Sequence, residues 1–210
     1  MIKLLIADDH AIFREGLKHI LAECSDVTVA AEASNGPAVL EKIWTDKYDM
    51  VLLDISMPGM SGLEVLKQLK IEKPKLPVLV LSMHPEEQYA VRILRAGASG
   101  YLTKESAPDE LITAIRKISQ GRKYITSSLA ERLAVEMETA SEKPLHEILS
   151  DREYQVLRMI AAGRTIKQIA EDLSLSIKTV STYRTRIMQK MNMKTNAELM
   201  HYAINQQLLD

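Results

Sequence analysis

Short apolar runs alternate with stretches whose apolar residues recur every three or four positions over roughly the first 120 residues. Ile2-Lys3-Leu4-Leu5-Ile6-Ala7 reads as a buried strand, and Ile12/Phe13, Gly16/Leu17, Ile20/Leu21 and Cys24 follow at helical spacing. Val27 to Ala33 reads as a second strand, Asn35-Gly36-Pro37 as a turn, and Val39, Leu40, Ile43 and Trp44 as a second helical stripe. A third strand runs to Asp54, after which Ser61-Gly62-Leu63-Glu64 has the form of a capping box opening a helix through Leu69. Pro77 starts a fourth strand, Pro85 stands in the first turn of a helix reaching Ala96, and Gly97 fits its carboxyl cap. After the run Tyr101-Leu102-Thr103, Ser106 is expected to cap a last helix. Pro108 lies in its first turn, Leu111, Ile112, Ile115 and Ile118 face inward, and Gly121 ends it. Five strand-helix alternations predict an α/β domain over residues 1–121, built on a five-stranded, doubly wound parallel sheet.

From Arg122 the pattern loosens. Leu129, Leu133 and Val135 can ride a short helix, and Glu136 to Pro144 is polar, so residues 122–146 read as a linker with some helical content. Residues 147–210 carry no strand signal. Four short helices are expected, three opened by caps of the Ser/Thr-x-x-Glu/Gln form: Ser150 with Glu153, Thr165 with Gln168 and Thr195 with Glu198. Ser176 begins a longer helix to about Met191. Leu157, Ile160, Ile166, Ile169, Ala170, Leu173, Val180, Ile187 and Met191 are the expected core of this small all-α domain. Ala203, Ile204 and Leu208 form a further stripe, either core or a dimer face.

Composition changes this picture little. Residues 1–144 hold 18 Lys and Arg against 21 Asp and Glu, net -3, and residues 145–210 hold 9 against 7, net +2. So modest an asymmetry does not by itself argue for nucleic acid. Cys24 is the single cysteine, which excludes an intrachain disulfide and a thiolate metal cluster. No apolar run approaches membrane-spanning length and an acidic pair stands within the first ten residues, so the expected compartment is the cytoplasm, with no membrane partner.

The candidate chemistry lies where the apolar runs end. The first ends in Asp8-Asp9, the third in Asp54, the fourth in Ser82 and the fifth in Lys104. If these are parallel strands of one open sheet, their carboxyl ends share one edge, where such sheets bind ligands. Carboxylate oxygens there suit magnesium, an aspartate can attack phosphorus, and lysine and a hydroxyl can bind the oxygens of a transferred group. Crowded acids at one edge repel unless a divalent cation joins them.

Asp8-Asp9, Asp54, Ser82, Tyr101 and Lys104, in this order on these segments, resemble the signature of two-component receiver domains, which have a flavodoxin-like fold. The resemblance implies that Asp54 accepts a phosphoryl group. It implies that Asp9 binds Mg2+ with Asp54 and the backbone carbonyl of Ser56, Asp8 acting through water. Lys104 and Ser82 would bind the phosphoryl oxygens, and Tyr101 would rotate inward as Ser82 moves. Glu105 stands where many receivers have proline, so the bend carrying Lys104 must use a trans turn. His10 and His84 flank the site, but without a helical pair they make a weak zinc set.

Residues 150–205 resemble the LuxR-type helix-turn-helix, carried by Thr165-Ile166-Lys167-Gln168-Ile169-Ala170, Leu173-Ser174-Leu175-Ser176 and Lys178-Thr179-Val180. Lys178, Arg184, Arg186, Lys190 and Lys194 fall in one stretch without an acid, which suits a helix in the major groove of double-stranded DNA. Base reading is expected of Ser181, Thr182 and Thr185, with Tyr183 and Arg184 nearby, and phosphate contact of Lys178, Thr179, Arg186 and Lys190.

With both halves, the chain resembles a response regulator of the NarL/FixJ type. The resemblance implies a DNA-binding transcription regulator that a sensor histidine kinase switches by phosphorylation of Asp54, through dimerisation or release of the DNA-binding domain, and that acts as a homodimer with the transcription machinery. It implies no enzymatic activity beyond accepting and slowly hydrolysing an aspartyl phosphate. Two rival readings are a phosphorylation-independent DNA-binding regulator and a magnesium-dependent phosphohydrolase. The second lacks an aspartate two residues after Asp54 to act as general acid, Ser56 standing there instead.

Overall fold

The computed structural model of the chain describes residues 1–138, 144–206 and 208–209. They form two compact units, Met1–Glu136 and Met137–Asp210. In the first, β1 (Ile2–Ala7), β2 (Val27–Ala33), β3 (Met50–Asp54), β4 (Val78–Ser82) and β5 (Gly100–Thr103) make a five-stranded sheet of order β2-β1-β3-β4-β5, every pairing parallel. Between them run α1 (Ala11–Ala22), α2 (Gly36–Thr45), α3 (Gly62–Glu72) and α4 (Glu86–Arg95), and α5 (Pro108–Ser119) follows β5. This is the α/β architecture expected from the alternating pattern.

Leu4, Ile6, Leu52, Leu79 and Leu102 pack with Leu17 and Leu21 of α1 and with Leu111, Ile115 and Ile118 of α5. Residues of opposite parity, Leu5, Val51, Leu53 and Val80, are equally buried, so both sheet faces are covered. Each such side chain contributes roughly 1.5–3 kcal/mol by leaving water. That core holds the strand ends in register: Ala7 lies opposite Leu53, Asp54 opposite Leu81, and Ser82 opposite Thr103.

Four local expectations are corrected. Ile12 and Trp44, read as parts of buried stripes, are 90% and 62% exposed, and the Trp44 indole N–H instead donates to Glu72. Pro85 precedes α4 as its cap residue rather than entering its first turn. Ser106 does not cap α5: Ala107 occupies the cap position, and the Ser106 hydroxyl pairs with that of Thr103 at 3.2 Å. The capping box at Ser61 and Glu64 forms in both directions.

The stretch read as a linker opens on the sheet: Tyr124 bridges to Gly100, and its N–H donates to Ser99 O at 2.8 Å. Helix α6 (Ser127–Glu138) follows, and residues 139–143 of that stretch lie outside the described residues.

The second unit starts with a single 3-10 turn at Leu145–Ile148. It continues with α7 (Asp151–Ala161), α8 (Ile166–Asp172), α9 (Ile177–Met191) and α10 (Asn196–Asn205). Leu157, Ile160, Ile169, Ala170, Val180, Ile187 and Met191 are buried as expected, together with Tyr154, Val156 and Leu199. Ile166 and Leu173 are only half-buried. The stripe on the last helix divides: Ala203 and Leu208 belong to the core, and Ile204 is 61% exposed. The boxes at Ser150 and Thr165 close in both directions. At Thr195 the hydroxyl accepts the Glu198 N–H, but the Glu198 carboxylate returns to the N–H of Lys194 rather than to that of Thr195.

Candidate functional site

At the carboxyl edge of the sheet, Asp8, Asp54 and Lys104 converge. Lys104 Nζ lies 2.6 Å from Asp8 Oδ2 and 2.9 Å from Asp54 Oδ2, with its side chain almost wholly buried and its ammonium 4.7 Å from the centre of the Phe13 ring. Asp54 Oδ1 accepts the Ser56 N–H at 3.1 Å. The bend that delivers Lys104 needs no proline: Lys104 N–H donates to Ser82 O at 2.7 Å and Ser106 N–H to Thr103 O at 3.1 Å, and every described peptide bond is trans.

Burial pushes the Asp54 carboxyl above the usual carboxylate range, and the Lys104 ammonium and the Ser56 N–H only partly offset it. For Lys104, burial alone acts downward, yet the carboxylates of Asp8 and Asp54 hold it above the usual lysine value. Both signs describe a lysine locked as a cation against an acid whose anion is strained by desolvation.

A hard cation fits beside this pair. One ligand atom from each of Asp8, Asp9, His10 and Asp54 can be chosen so that all lie within 4.8 Å of one another. Asp8 Oδ2 and Asp9 Oδ1 are buried, the first approached by Lys104 Nζ and the second by His10 Nδ1. Two buried carboxylate oxygens at one site are what oxygen-seeking Mg2+ satisfies. His10 Nδ1, 3.2 Å from Asp8 Oδ1 and 3.0 Å from Asp9 Oδ1, adds one nitrogen on a mostly exposed ring. The His84 ring instead stacks on Tyr89, with centroids 4.6 Å apart.

Ser82 is fully buried, and its Oγ accepts the His84 N–H at 3.0 Å. Tyr101 already points inward, 1% exposed, with its hydroxyl donating to His84 O at 2.6 Å. This conformation thus holds the inward position of Tyr101.

Two contributors escaped the sequence reading. Arg14 donates from Nη1 to Asp8 O at 2.7 Å and from Nε to Glu32 at 3.0 Å, tying the loop of the acidic pair to α1 and β2. Gly62 donates its N–H to Ile55 O at 2.9 Å, and a Cβ there would fall 2.0 Å from Asp54 O. A glycine at a helix start is itself a signal of close backbone approach.

In the second unit, Ser174 at φ 53° turns the chain between α8 and α9, and Leu175 N–H returns to Ala170 O at 2.8 Å. Ser176 caps α9 through the Thr179 N–H. Lys178, Ser181, Thr182, Thr185 and Arg186 lie exposed on one side of α9, opposite buried Val180, Ile187 and Met191. Tyr183 is half-buried. The Thr182 and Thr185 hydroxyls donate back to Lys178 O and Ser181 O, at 2.9 and 3.0 Å. Arg184 Nε donates to Asn196 at 2.7 Å, and Lys190 Nζ lies 2.6 Å from the buried Glu153 carboxylate, so both are engaged within the unit.

Comparison with known proteins agrees on both halves. Residues 4–116 match the response regulator receiver domain, and residues 147–203 match the luxR family of bacterial regulatory proteins. The response regulator UvrY of Escherichia coli is 37% identical over 97% of this chain and 94% of its own. The oxygen regulatory protein NreC of Staphylococcus epidermidis is 38% identical over 99% of each. A solved structure of RcsB from Salmonella enterica serovar Typhimurium, bound to promoter rprA in the presence of the phosphomimetic BeF3-, superposes with a TM-score of 0.62. It is 27% identical and covers 96% of this chain and 97% of its own. The convergent acids and lysine on a receiver sheet and the helix-turn-helix that follows thus belong to one pattern: the chain is a member of the response regulators that join a receiver domain to a LuxR-family DNA-binding domain.

Proposed function

We propose that Asp54 is the phosphoryl acceptor and that its state controls DNA binding through α9. The observation that carries the reading is the almost wholly buried Lys104 ammonium held between Asp54 and Asp8, beside the carboxylate of Asp9. A carboxylate oxygen of Asp54 attacks phosphorus, and the P–N bond of a phosphohistidine on a sensor histidine kinase breaks, its electron pair leaving on the imidazole. The product is an acyl phosphate. Asp9, Asp54 and the Ser56 carbonyl would hold Mg2+, with Asp8 acting through water; when bound, the ion neutralises the crowded acids and the charge on the phosphoryl oxygens. Lys104 binds those oxygens as a cation, and Ser82 turns its hydroxyl to them. Water later hydrolyses the acyl phosphate, which resets the protein without turnover of an external substrate.

On the DNA side, Ser181, Thr182 and Thr185 face the bases. Lys178, Thr179 and Arg186 meet phosphates, and Lys190 joins them only by leaving Glu153. Two chains together place two such helices on two half-sites. Such a protein works in the cytoplasm alongside the transcription machinery; no helix among the described residues is long and apolar enough to cross a membrane.

Incubation with Mg2+ and a small phosphodonor, followed by intact-mass measurement, tests the central assignment. The wild type gains one acid-stable, base-labile phosphoryl group, and Asp54→Asn gains none. Equal uptake by Asp54→Asn overturns it.

A further inference from the structure

A set of contacts beyond the phosphoacceptor lies at the far end of the loop after β4. Both sides of residue 84 are tied to strand ends, its N–H to Ser82 Oγ and its carbonyl to the Tyr101 hydroxyl. Two residues on, Glu86 opens α4. Its Oε1 accepts the hydroxyls of both Thr126 and Ser128, the latter at 2.9 Å. Thr126 is also the cap of α6: its Oγ1 accepts the Leu129 N–H at 3.3 Å and its carbonyl the Ala130 N–H at 3.0 Å. The Glu86 carboxylate therefore stands at the amino ends of two helices, its own and α6, and negative charge is favoured at both. Leu129 is buried directly after this contact.

We infer that Glu86 is a latch fastening the first turn of α6 to the start of α4, and that phosphorylation of Asp54 opens it. The inference rests on Asp54 as phosphoryl acceptor. When the Ser82 hydroxyl turns to a phosphoryl oxygen, the acceptor of the His84 N–H moves with it, and the short lever from residue 84 to Glu86 shifts. Hydrogen bonds fade beyond about 3.5 Å, so a displacement on the order of 1 Å at Glu86 parts the carboxylate from both hydroxyls. The chain of α6 continues toward the DNA-binding residues. The latch thus couples the state of Asp54 to the freedom of the connection between the two functions.

Hydrogen exchange of the amides of residues 127–136 in the full-length protein, with and without Mg2+ and BeF3-, tests this. In the wild type the phosphomimetic should speed exchange of these amides by roughly tenfold or more, about the worth of one hydrogen bond to a charged group. In Glu86→Ala exchange is already fast without it, and BeF3- adds little. Ser128→Ala leaves the Thr126 cap intact and gives a smaller increase, which vanishes when combined with Glu86→Ala. Amides of α5 should stay slow throughout, which separates release of α6 from general loosening. Slow exchange in unliganded Glu86→Ala overturns the latch, as does wild-type exchange indifferent to BeF3- that fluorine NMR shows to be bound. Absence of BeF3- binding altogether overturns instead the reading of Asp54, and with it the trigger.

Discussion

At the scale of single residues, the site is held by backbone as much as by charge. Asp54 ends a strand buried on both faces, and the carbonyl of that same residue has Gly62 packed directly against it. Gly62→Ala would place a methyl 2.0 Å from Asp54 O, so the β3–α3 loop must shift. The expected cost is about 3 kcal/mol in urea unfolding of the first unit. Phosphoryl uptake should slow as well, because Ser56 and Asp54 move together. Unchanged stability and uptake would show that the loop yields without cost. Asp8, Asp9, Asp54, Ser82 and Lys104 were legible because each follows an apolar run, and a parallel sheet sends all such ends to one edge. Arg14 and Gly62 were not, because neither completes a periodic pattern: one reaches a carbonyl, the other offers only the absence of a side chain. The inward position of Tyr101 was equally hidden, since rotamer choice leaves no trace in spacing.

At the scale of elements, helix beginnings were read more surely than exposed faces. Ser61, Ser150 and Thr165 close the boxes their sequences announce, because a hydroxyl and an acid or amide three residues on satisfy local donors whatever packs around them. Ser106 failed since Thr103 competes for its hydroxyl, and Ile12 and Trp44 failed because an apolar residue at the border of a stripe need not meet the core. One cap reaches further. Glu153 accepts the Ser150 N–H at 2.7 Å and pairs with Lys190 of α9, so the box of α7 also fixes the DNA-facing helix. Burial acts upward on its carboxyl, but Lys190 and Ser150 hold it below the usual value of 4.5. A depressed carboxylate stabilises the fold fully above that ordinary value and loses its contribution as pH falls through the folded one. Wild-type α7 and α9 should therefore lose protection from amide exchange more steeply than in Glu153→Gln as pH falls below 4.5. At neutral pH that variant should be less stable by about 1–2 kcal/mol. Parallel pH profiles for the two proteins would show the pair to be idle.

At the scale of the whole molecule, two kinds of surface chemistry occur on one chain, and the sequence drew the line between them only approximately. The strand-helix count stops at Gly121, yet the sheet edge continues to Tyr124, since a single-residue bridge carries no period. The charge balance was too even to reveal DNA binding; what reveals it is the helix-turn-helix pattern within the residues 147–203 that match the luxR family. Selection of fragments from a random DNA pool by the full-length protein, with Mg2+ and with or without a phosphodonor, joins the two functions in one measurement. If phosphorylation brings two chains together, the donor arm should enrich an inverted repeat whose half-site centres lie about one helical turn apart, roughly 10 base pairs, or a multiple of it. On that selected site, Lys178→Ala and Arg186→Ala should each weaken binding about equally across sequences and reduce the salt dependence by about one counterion. Thr182→Ser, which removes the methyl of an exposed residue and keeps the hydroxyl, should instead change which bases are enriched. Equal enrichment without the donor would separate DNA binding from Asp54 and leave the receiver as a docking module. Enrichment of single half-sites only in the donor arm would keep the switch and make release of α9, rather than dimerisation, its output.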